Sequence, residues 1–245
     1  MSSAISTFSI APGFNGPPSS ANGGYACGTL AGLAEAAGHL TGPAAVTLHL
    51  PVPLDTPLEY RTAGRRGHAW HGEDVIASVA TASGDIPVLA PVTVEEAKQA
   101  EGAFDPAAHP FPTCFVCGTE RPETGLSLRP GPVAARPSTV ACTWTPAPAL
   151  AGADGTVPAD VVWSALDCPG GWTADPVRQP RLLGRMTAEI DALPQAGRTC
   201  VVVARLERTE GRTALNTTAL YDAYDGTLLA KASALWIAVD LDSVA

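Results

Sequence analysis

The sequence predicts an α+β fold in which one helix followed by an antiparallel meander occurs twice. Apolar residues recur at helical spacing in two segments, near Asn22–Ala37 and at Ala159–Trp172. Each segment is followed by several short runs of apolar and β-branched residues, which are typical of strands. Glu210-Gly211 and Asp225-Gly226 stand between runs of the second half, where hairpin turns are expected. Helices and antiparallel strands in this order indicate an α+β domain.

The first half opens with a short extended segment, Thr7–Ile10, before its helix. Gly38 is a plausible end for that helix. The strands predicted after it are Ala45–Val52, Leu58–Ala63, His68–Thr81 and Ile86–Val92, followed by a charged helix at Val94–Ala103.

The second half repeats this order after a proline-rich stretch, Phe104–Glu123, which we interpret as a linker. Its predicted strands are Leu126–Arg129, Thr139–Thr145, Arg181–Leu193, Thr199–Arg208, Thr213–Tyr221 and Leu228–Val239. The sequence therefore predicts an N-terminal module at 1–103, a linker at 104–123 and a C-terminal module at 124–245.

The composition and charge of the chain limit the classes of function that it can have. The 245 residues are 46% hydrophobic and 16% charged, which indicates a chain with a substantial buried core. The net charge of −9 disfavours nucleic acid as a partner, since phosphates are bound by basic surfaces. No apolar run reaches the roughly 18 residues that span a bilayer, and Met1–Ala11 lacks a signal-peptide pattern. We therefore expect a cytoplasmic protein without membrane contact.

Asp167 is the residue whose position most strongly suggests a chemical role. It lies in the middle of the apolar helix ADVVWSALDCPGGW, on a narrow polar stripe with Asp160 and Ser164. Burying a carboxylate costs several kcal/mol, roughly, unless it finds a partner or its pKa rises. The alternative is structural: Asp167 bonds nearby backbone, or ends the helix before Pro169.

Two motifs resemble a known superfamily. Cys114–Leu128, CFVCGTERPETGLSL, is similar to the opening segment of many small hotdog thioesterases. Asn22–Tyr25, NGGY, is similar to the helix start in the thioesterase II-like family of double-hotdog acyl-CoA hydrolases. The resemblance implies a tandem (double) hotdog, with two curved antiparallel sheets that each wrap a central helix.

The resemblance also implies one composite site. In single-hotdog thioesterases the helix begins with His-Gly-Gly, and an acid follows nine positions after the His. Nine positions before Asp167 stands Pro158, so this helix keeps the acid and lacks the glycines. Nine positions after Asn22 stands Ala31, so the other helix keeps Gly23-Gly24 and lacks the acid. We therefore expect one site that pairs Asn22, Gly23 and Gly24 with Asp167, and one vestigial site.

Such a site implies hydrolysis of acyl-CoA or acyl-carrier-protein thioesters. The free N–H groups of Gly23 and Gly24 would stabilise the oxyanion, with Asn22 assisting or only capping the helix. Asp167 would act as general base or as nucleophile. Thr187 matches the hydroxyl residue that assists the acid in thioesterase II-like enzymes, but the expected Gln falls near Ala234.

Two alternative functions remain open. The missing Gln and the altered helix start at Pro158 are compatible with an acyl-thioester or apolar-ligand binder without turnover. A hotdog dehydratase would instead need His39 or His49 close to Asp167. In either case the partner is a small acyl ligand, and further association of double-hotdog units into a homo-oligomer is compatible with the family.

The cysteines do not predict a metal site. Cys114-x-x-Cys117 with His109 supplies part of a zinc pattern, but the usual second pair is missing. The remaining cysteines, Cys27, Cys142, Cys168 and Cys200, are single. We expect reduced core thiols and no metal or cofactor, and we interpret Cys114–Cys117 as part of a turn that leads into the second module.

Overall fold

The computed structural model describes residues 5–121 and 124–241. Its helices are α1 (Gly23–Ala36), α2 (Val94–Glu101) and α3 (Ala159–Trp172). The strands before residue 104 are β1 (Ile5–Phe8), β2 (Ala44–Leu48), β3 (Leu58–Ala63), β4 (Arg66–His71) and β5 (Asp74–Thr81). Those after it are β6 (Gly131–Pro132), β7 (Thr139–Trp144), β8 (Arg181–Ile190), β9 (Cys200–Glu210), β10 (Thr213–Asp222) and β11 (Leu228–Ala238). In the part of the chain described, no helix is long and apolar enough to cross a membrane.

The strands of residues 5–121 and 124–241 form one sheet of 11 strands, ordered β1-β3-β4-β5-β2-β8-β11-β10-β9-β7-β6. Strands from the two halves meet where β2 pairs antiparallel with β8, with Ala44 opposite Ala188 and Val46 opposite Met186. The five strands on one side of this seam come from the first half, and the remaining six come from the second. This pairing makes the sheet continuous between the halves.

Helices α1 and α3 pack against each other on one face of the sheet, and glycines of α1 allow their close approach. A Cβ at Gly24 would lie 2.5 Å from Asp167 Cβ, and a Cβ at Gly28 would lie 2.5 Å from Asp160 Cα. Because Gly24 faces Asp167 and Gly28 faces Asp160, the two helices run antiparallel. The main core cluster lies around them and includes Leu30 and Leu166, both fully buried.

The start of α1 follows directly from its sequence. Asn22 has extended backbone angles and its side chain accepts a hydrogen bond from the Tyr25 N–H, as an N-cap residue does. At α3 the residue before the helix is Pro158, which offers no side-chain cap. Helix α3 continues through Pro169 to Trp172, so Pro169 does not end it.

Two predicted strands are absent from the described structure. Residues Ile86–Val92 form no strand; Leu89 and Val92 instead pack with α2 in a second apolar cluster that includes Val201 and Tyr221. Residues Leu126–Arg129 also form no strand, although Leu126 donates to the Phe115 carbonyl. In both cases only some apolar side chains of the run are buried, among them Leu89, Val92 and Leu128, and the run pairs with no strand. The predicted strand His68–Thr81 is instead a hairpin, β4 and β5, that turns at Gly72 with φ 60°.

Candidate functional site

The carboxylate of Asp167 meets the N-terminus of α1. Its Oδ2 accepts a hydrogen bond of 2.8 Å from the Gly24 N–H and one of 3.2 Å from Asn22 Nδ2. Asp167 is only 1% exposed. The structure therefore brings Asn22 and Gly24 together with Asp167, which lies 145 positions after Asn22 in the sequence.

The Asn22 side chain connects these groups. Its Oδ1 accepts from the Tyr25 N–H at 3.0 Å, which fixes the orientation of the amide, so that Nδ2 faces Asp167. The Asn22 side chain thus caps α1 through its oxygen and contacts Asp167 through its nitrogen. The two roles that the sequence left open for Asn22 do not exclude each other.

Gly23 and Gly24 are required by packing on opposite sides of α1. A Cβ at Gly23 would lie 2.8 Å from Leu183 Cβ, in strand β8. One at Gly24 would lie 2.7 Å from the Trp163 carbonyl oxygen, in α3. Their N–H groups also differ: that of Gly24 is bonded to Asp167, whereas that of Gly23 has no partner within residues 5–121 and 124–241. Gly23 therefore provides the free donor at this helix terminus.

Asp167 keeps one oxygen free of partners. Oδ1 is buried and accepts no hydrogen bond from the described residues. Burial raises the pKa of the Asp167 carboxyl from 3.8 to about 7, and the nearby Cys114 thiol adds to the rise. The hydrogen bonds from the Gly24 N–H and Asn22 act in the opposite direction, but burial dominates.

A cavity of about 280 Å³ opens beside this carboxylate. Asn22, Gly23 and Asp167 contribute polar groups to its wall. Most of the remaining wall is apolar and comes from both halves of the chain, including Leu48, Val52, Phe111, Trp172, Leu183 and Trp236. A cavity with apolar walls and a few convergent polar groups is typical of a small-molecule site.

Thr187 is not brought to this cavity. It alternates along β8 with Met186 and Ala188, which are buried on the face that carries the helices. Its strand neighbours are Ala45 and Ser233. Because successive side chains of a strand point to opposite faces, Thr187 lies on the face away from Asp167. Sequence position alone does not determine on which face of β8 the Thr187 side chain lies.

The opposite ends of the two helices differ from the Asp167 end. Asp160, in the first turn of α3, accepts from the Val161 N–H and lies beside Tyr25. Helix α1 offers Ala31 where an acid would be needed. Helix α1 thus carries no acid at the position that corresponds to Asp167 of α3.

Two histidines lie at the cavity and a third does not. His49 lines it, but it is exposed and its Nε2 is 3.0 Å from Ser78 Oγ. His109 also lines it, and its Nε2 lies 3.2 Å from Cys117 Sγ. His39 follows the end of α1 and does not contribute to the wall. No hydrogen bond joins any of the three to Asp167 within the described ranges.

Sequence reasoning missed a cluster of three cysteines at the same cavity. Cys168 follows Asp167 in α3, and its Sγ lies 3.8 Å from that of Cys114. Hydrogen bonds from the thiols of Cys117 and Cys168 hold the pKa of Cys114 well below its usual range. The contacts of Cys168 with Cys114 and Cys117, together with burial, hold the pKa of Cys168 well above its usual range. Cys168 appeared single in the sequence because 54 positions separate it from Cys114.

Solved structures with the same architecture include thioesterase-like proteins. A candidate thioesterase from Novosphingobium aromaticivorans superposes with a TM-score of 0.65 at 14% identity, over 97% of this chain and 96% of that one. The TesB protein of Mycobacterium avium subspecies paratuberculosis gives 0.62 at 12% identity, over 96% and 93%. A protein of unknown function with a hotdog fold from Alicyclobacillus acidocaldarius gives 0.61 at 14% identity, over 97% and 96%.

These comparisons establish the fold of the chain. It has an α+β hotdog fold, the fold that the two motifs indicated. No family model and no curated protein matches the sequence. At such low identity the chemistry has to be argued from the residues themselves.

Proposed function

We propose that the chain is a thioesterase of tandem hotdog architecture that hydrolyses acyl-CoA or acyl-carrier-protein thioesters at one composite site. The modules are 1–103 and 124–245, joined by the linker at 104–123. The observation that carries the proposal is the free Oδ1 of Asp167, buried at a largely apolar cavity beside the unpaired Gly23 N–H.

In this proposal Asp167 is the general base. Its Oδ2 is held by Gly24 and Asn22, which leaves Oδ1 to accept a hydrogen bond from a water molecule. The base removes a proton as that water attacks the thioester carbonyl, and the thiolate leaves and takes up a proton. A pKa near 7 suits proton transfer at neutral pH.

The Gly23 N–H is the proposed oxyanion donor. It belongs to the first residue of α1, where N–H groups carry positive dipole character. Gly24 was expected to share this role, but in the structure its N–H is bonded to Asp167. We therefore assign Gly24 and Asn22 to holding the acid. Thr187 has no part in the proposal, because its side chain lies on the other face of the sheet.

The test measures thiol release from acyl-CoAs and acyl-carrier proteins of several chain lengths. Asp167→Asn keeps an acceptor for Gly24 and Asn22 and removes the base, so we expect the rate to fall by about 10²–10⁴-fold. The matched control is Asp160→Asn in the same helix, which should keep the wild-type rate. Equal rates for Asp167→Asn and wild type would refute the proposed chemistry.

A second experiment separates the base from the nucleophile. Under single turnover in ¹⁸O-labelled water, a general base places the label in the released fatty acid. A nucleophilic Asp167 forms an acyl anhydride first, and hydrolysis of this anhydride at the aspartyl carbonyl leaves ¹⁸O on the protein. Label in the peptide that contains Asp167 would contradict the role of base.

The alternative function, an acyl-thioester binder without turnover, is favoured by one observation. Asp167 Oδ2 accepts the hydrogen bond of the Gly24 N–H, so the acid also caps the N-terminus of α1. A binder would hold acyl-CoA in equilibrium dialysis without releasing thiol, and Asp167→Asn would leave its affinity unchanged.

A further inference from the structure

Three cysteine sulfurs converge at one end of the cavity. The Sγ atoms of Cys114, Cys117 and Cys168 all lie within 4.8 Å of one another, and those of Cys114 and Cys168 are 3.8 Å apart. All three residues are buried. They come from two parts of the chain, the segment before β6 and the middle of α3, so the fold rather than a local turn brings them together.

The spacing matches that of thiolates around zinc. With Zn–S bonds of about 2.3 Å, a regular tetrahedron places its sulfurs about 3.8 Å apart. The Cys114–Cys168 separation has this value, and the upper limit for the other pairs is about 1 Å larger. A disulfide, by contrast, needs sulfurs about 2.05 Å apart, which would require the backbone or side chains to move.

The turn at Cys114–Gly118 places two of the three cysteines side by side. The Gly118 N–H donates to the Cys114 carbonyl at 2.9 Å. A Cβ at Gly118 would lie 2.3 Å from that carbonyl oxygen, so the tight turn requires glycine. The backbone of this turn thus holds the Cys114 and Cys117 sulfurs within 4.8 Å of each other.

Side-chain donors lie close to two of the three sulfurs. Asn22 Nδ2 lies 3.6 Å from Cys168 Sγ, and His109 Nε2 lies 3.2 Å from Cys117 Sγ. A cysteine that only fills core space needs no such donors. The cluster therefore differs from an ordinary group of core thiols, in which apolar neighbours would be expected.

His109 acts as a donor in this arrangement. Its Nδ1 accepts from the Phe111 N–H at 3.0 Å, so the neutral ring carries its proton on Nε2, toward Cys117. Ligation through Nε2 would need the opposite tautomer and would break the bond to Phe111. The fourth position of a tetrahedral site is then left to solvent or ligand in the cavity, which all three cysteines line.

We propose that Cys114, Cys117 and Cys168 bind one Zn²⁺ ion as thiolates, with His109 hydrogen-bonded to the Cys117 sulfur and the fourth position facing the cavity. Binding releases the thiol protons to solvent. Metal binding is measured without substrate. The result of that test is therefore independent of whether the proposed thioesterase activity is found.

The test is metal content of the untagged full chain after incubation with Zn²⁺ and removal of free metal. We expect one zinc per chain in the wild type. Separate Cys114→Ser, Cys117→Ser and Cys168→Ser variants should each lose more than the roughly 10–100-fold in affinity that loss of an outer hydrogen-bond partner costs. Cys142→Ser and Cys200→Ser, which alter buried thiols outside the cluster, are the matched controls and should keep one zinc.

His109→Gln examines the role assigned to the imidazole. It should weaken zinc binding by about 10–100-fold and retain the site. Loss of binding as complete as in the cysteine variants would overturn the assignment of His109 as a donor rather than a ligand.

Cobalt provides a readout that does not depend on variants that fold poorly. Wild-type protein loaded with Co²⁺ should show thiolate-to-cobalt charge transfer in the near ultraviolet, with intensity for three thiolates, and strong d–d bands typical of tetrahedral coordination. Failure of the wild type to bind Zn²⁺ or Co²⁺ would overturn the proposal. Zinc held equally by the cysteine variants, or a thiol titration with two of the six cysteines paired as a disulfide, would also overturn it.

Discussion

Replacement of Gly24 by alanine tests the contact between α1 and α3 on which the site depends. The added Cβ would lie 2.5 Å from Asp167 Cβ, 2.7 Å from the Trp163 carbonyl oxygen and 2.9 Å from Ser164 Cα. Two of these atoms belong to the backbone of α3 and cannot turn away. Because carbon atoms in contact normally lie about 3.5–4 Å apart, the helices would have to separate by about 1 Å.

The expected loss of stability follows from three effects. Overpacking of this kind costs about 1–3 kcal/mol. Separation of the helices also stretches the 2.8 Å bond from the Gly24 N–H to Asp167, and a hydrogen bond to a charged group contributes about 1.5–3 kcal/mol. Alanine recovers up to about 1 kcal/mol through its higher helix propensity. We expect Gly24→Ala to lower the free energy of unfolding by about 2–5 kcal/mol.

Two other glycines of α1 provide controls. Gly32 is exposed and a Cβ there meets no atom within 4 Å, so Gly32→Ala should raise the free energy of unfolding by up to about 1 kcal/mol. A Cβ at Gly28 would lie 2.5 Å from Asp160 Cα, but Gly28 does not bond to Asp167. Gly28→Ala thus reports the cost of the close contact alone.

Urea unfolding at 25 °C measures all three variants. The reasoning requires the midpoint to fall for Gly24→Ala and Gly28→Ala and to rise for Gly32→Ala, with similar slopes. If Gly24→Ala were within about 0.5 kcal/mol of Gly32→Ala, a size comparable to ordinary surface substitutions, the helices would not be in the contact described.

Three further results are expected. Asn22→Ala removes the N-cap of α1 and a donor to Asp167, so urea unfolding should show a loss of about 1–2 kcal/mol, and an unchanged midpoint would contradict the capping role. The hydrogen bond from Arg198 holds the pKa of Asp222 below 3.8, so the stability advantage of wild type over Asp222→Asn should be complete above the unfolded-state pKa and decline as pH falls below about 4; an advantage that stays constant from about pH 6 to about pH 2 would argue against the ion pair. A chelator should lower the thermal midpoint of zinc-loaded wild type and leave Cys168→Ser unchanged, and equal shifts in both would speak against metal at the cluster.

The helices and the central strands were predictable because their signals are local. Helix α3 spans Ala159–Trp172 as predicted, since its apolar spacing is independent of partners. The run at Ile86–Val92 has the same strand-like composition as true strands, yet it forms none. Leu89 and Val92 instead cover the sheet together with α2. Composition indicates burial, and only tertiary pairing decides between a strand and a covering segment.

The candidate site was predictable in part for a similar reason. The resemblance to hotdog thioesterases, in which the helix start of one module meets the acid of the other, implied that Gly24 and Asp167 meet across 143 positions. Thr187 was misplaced because an offset of one residue along a strand changes the face on which a side chain lies. The third sulfur of the cysteine cluster carries no sequence signal, since Cys168 meets Cys114 only when α3 packs beside the segment that contains Cys114.

The pairing of β2 with β8 has a consequence for biosynthesis. Ala44 and Ala188 become neighbours only after most of the polypeptide has left the ribosome, and the same is true of Gly24 and Asp167. Contacts so distant along the chain are slow to form. Until the second half of the chain is synthesised, the nascent N-terminal portion exposes the apolar surface of α1 and the unpaired edge of β2. Molecular chaperones bind surfaces of this kind.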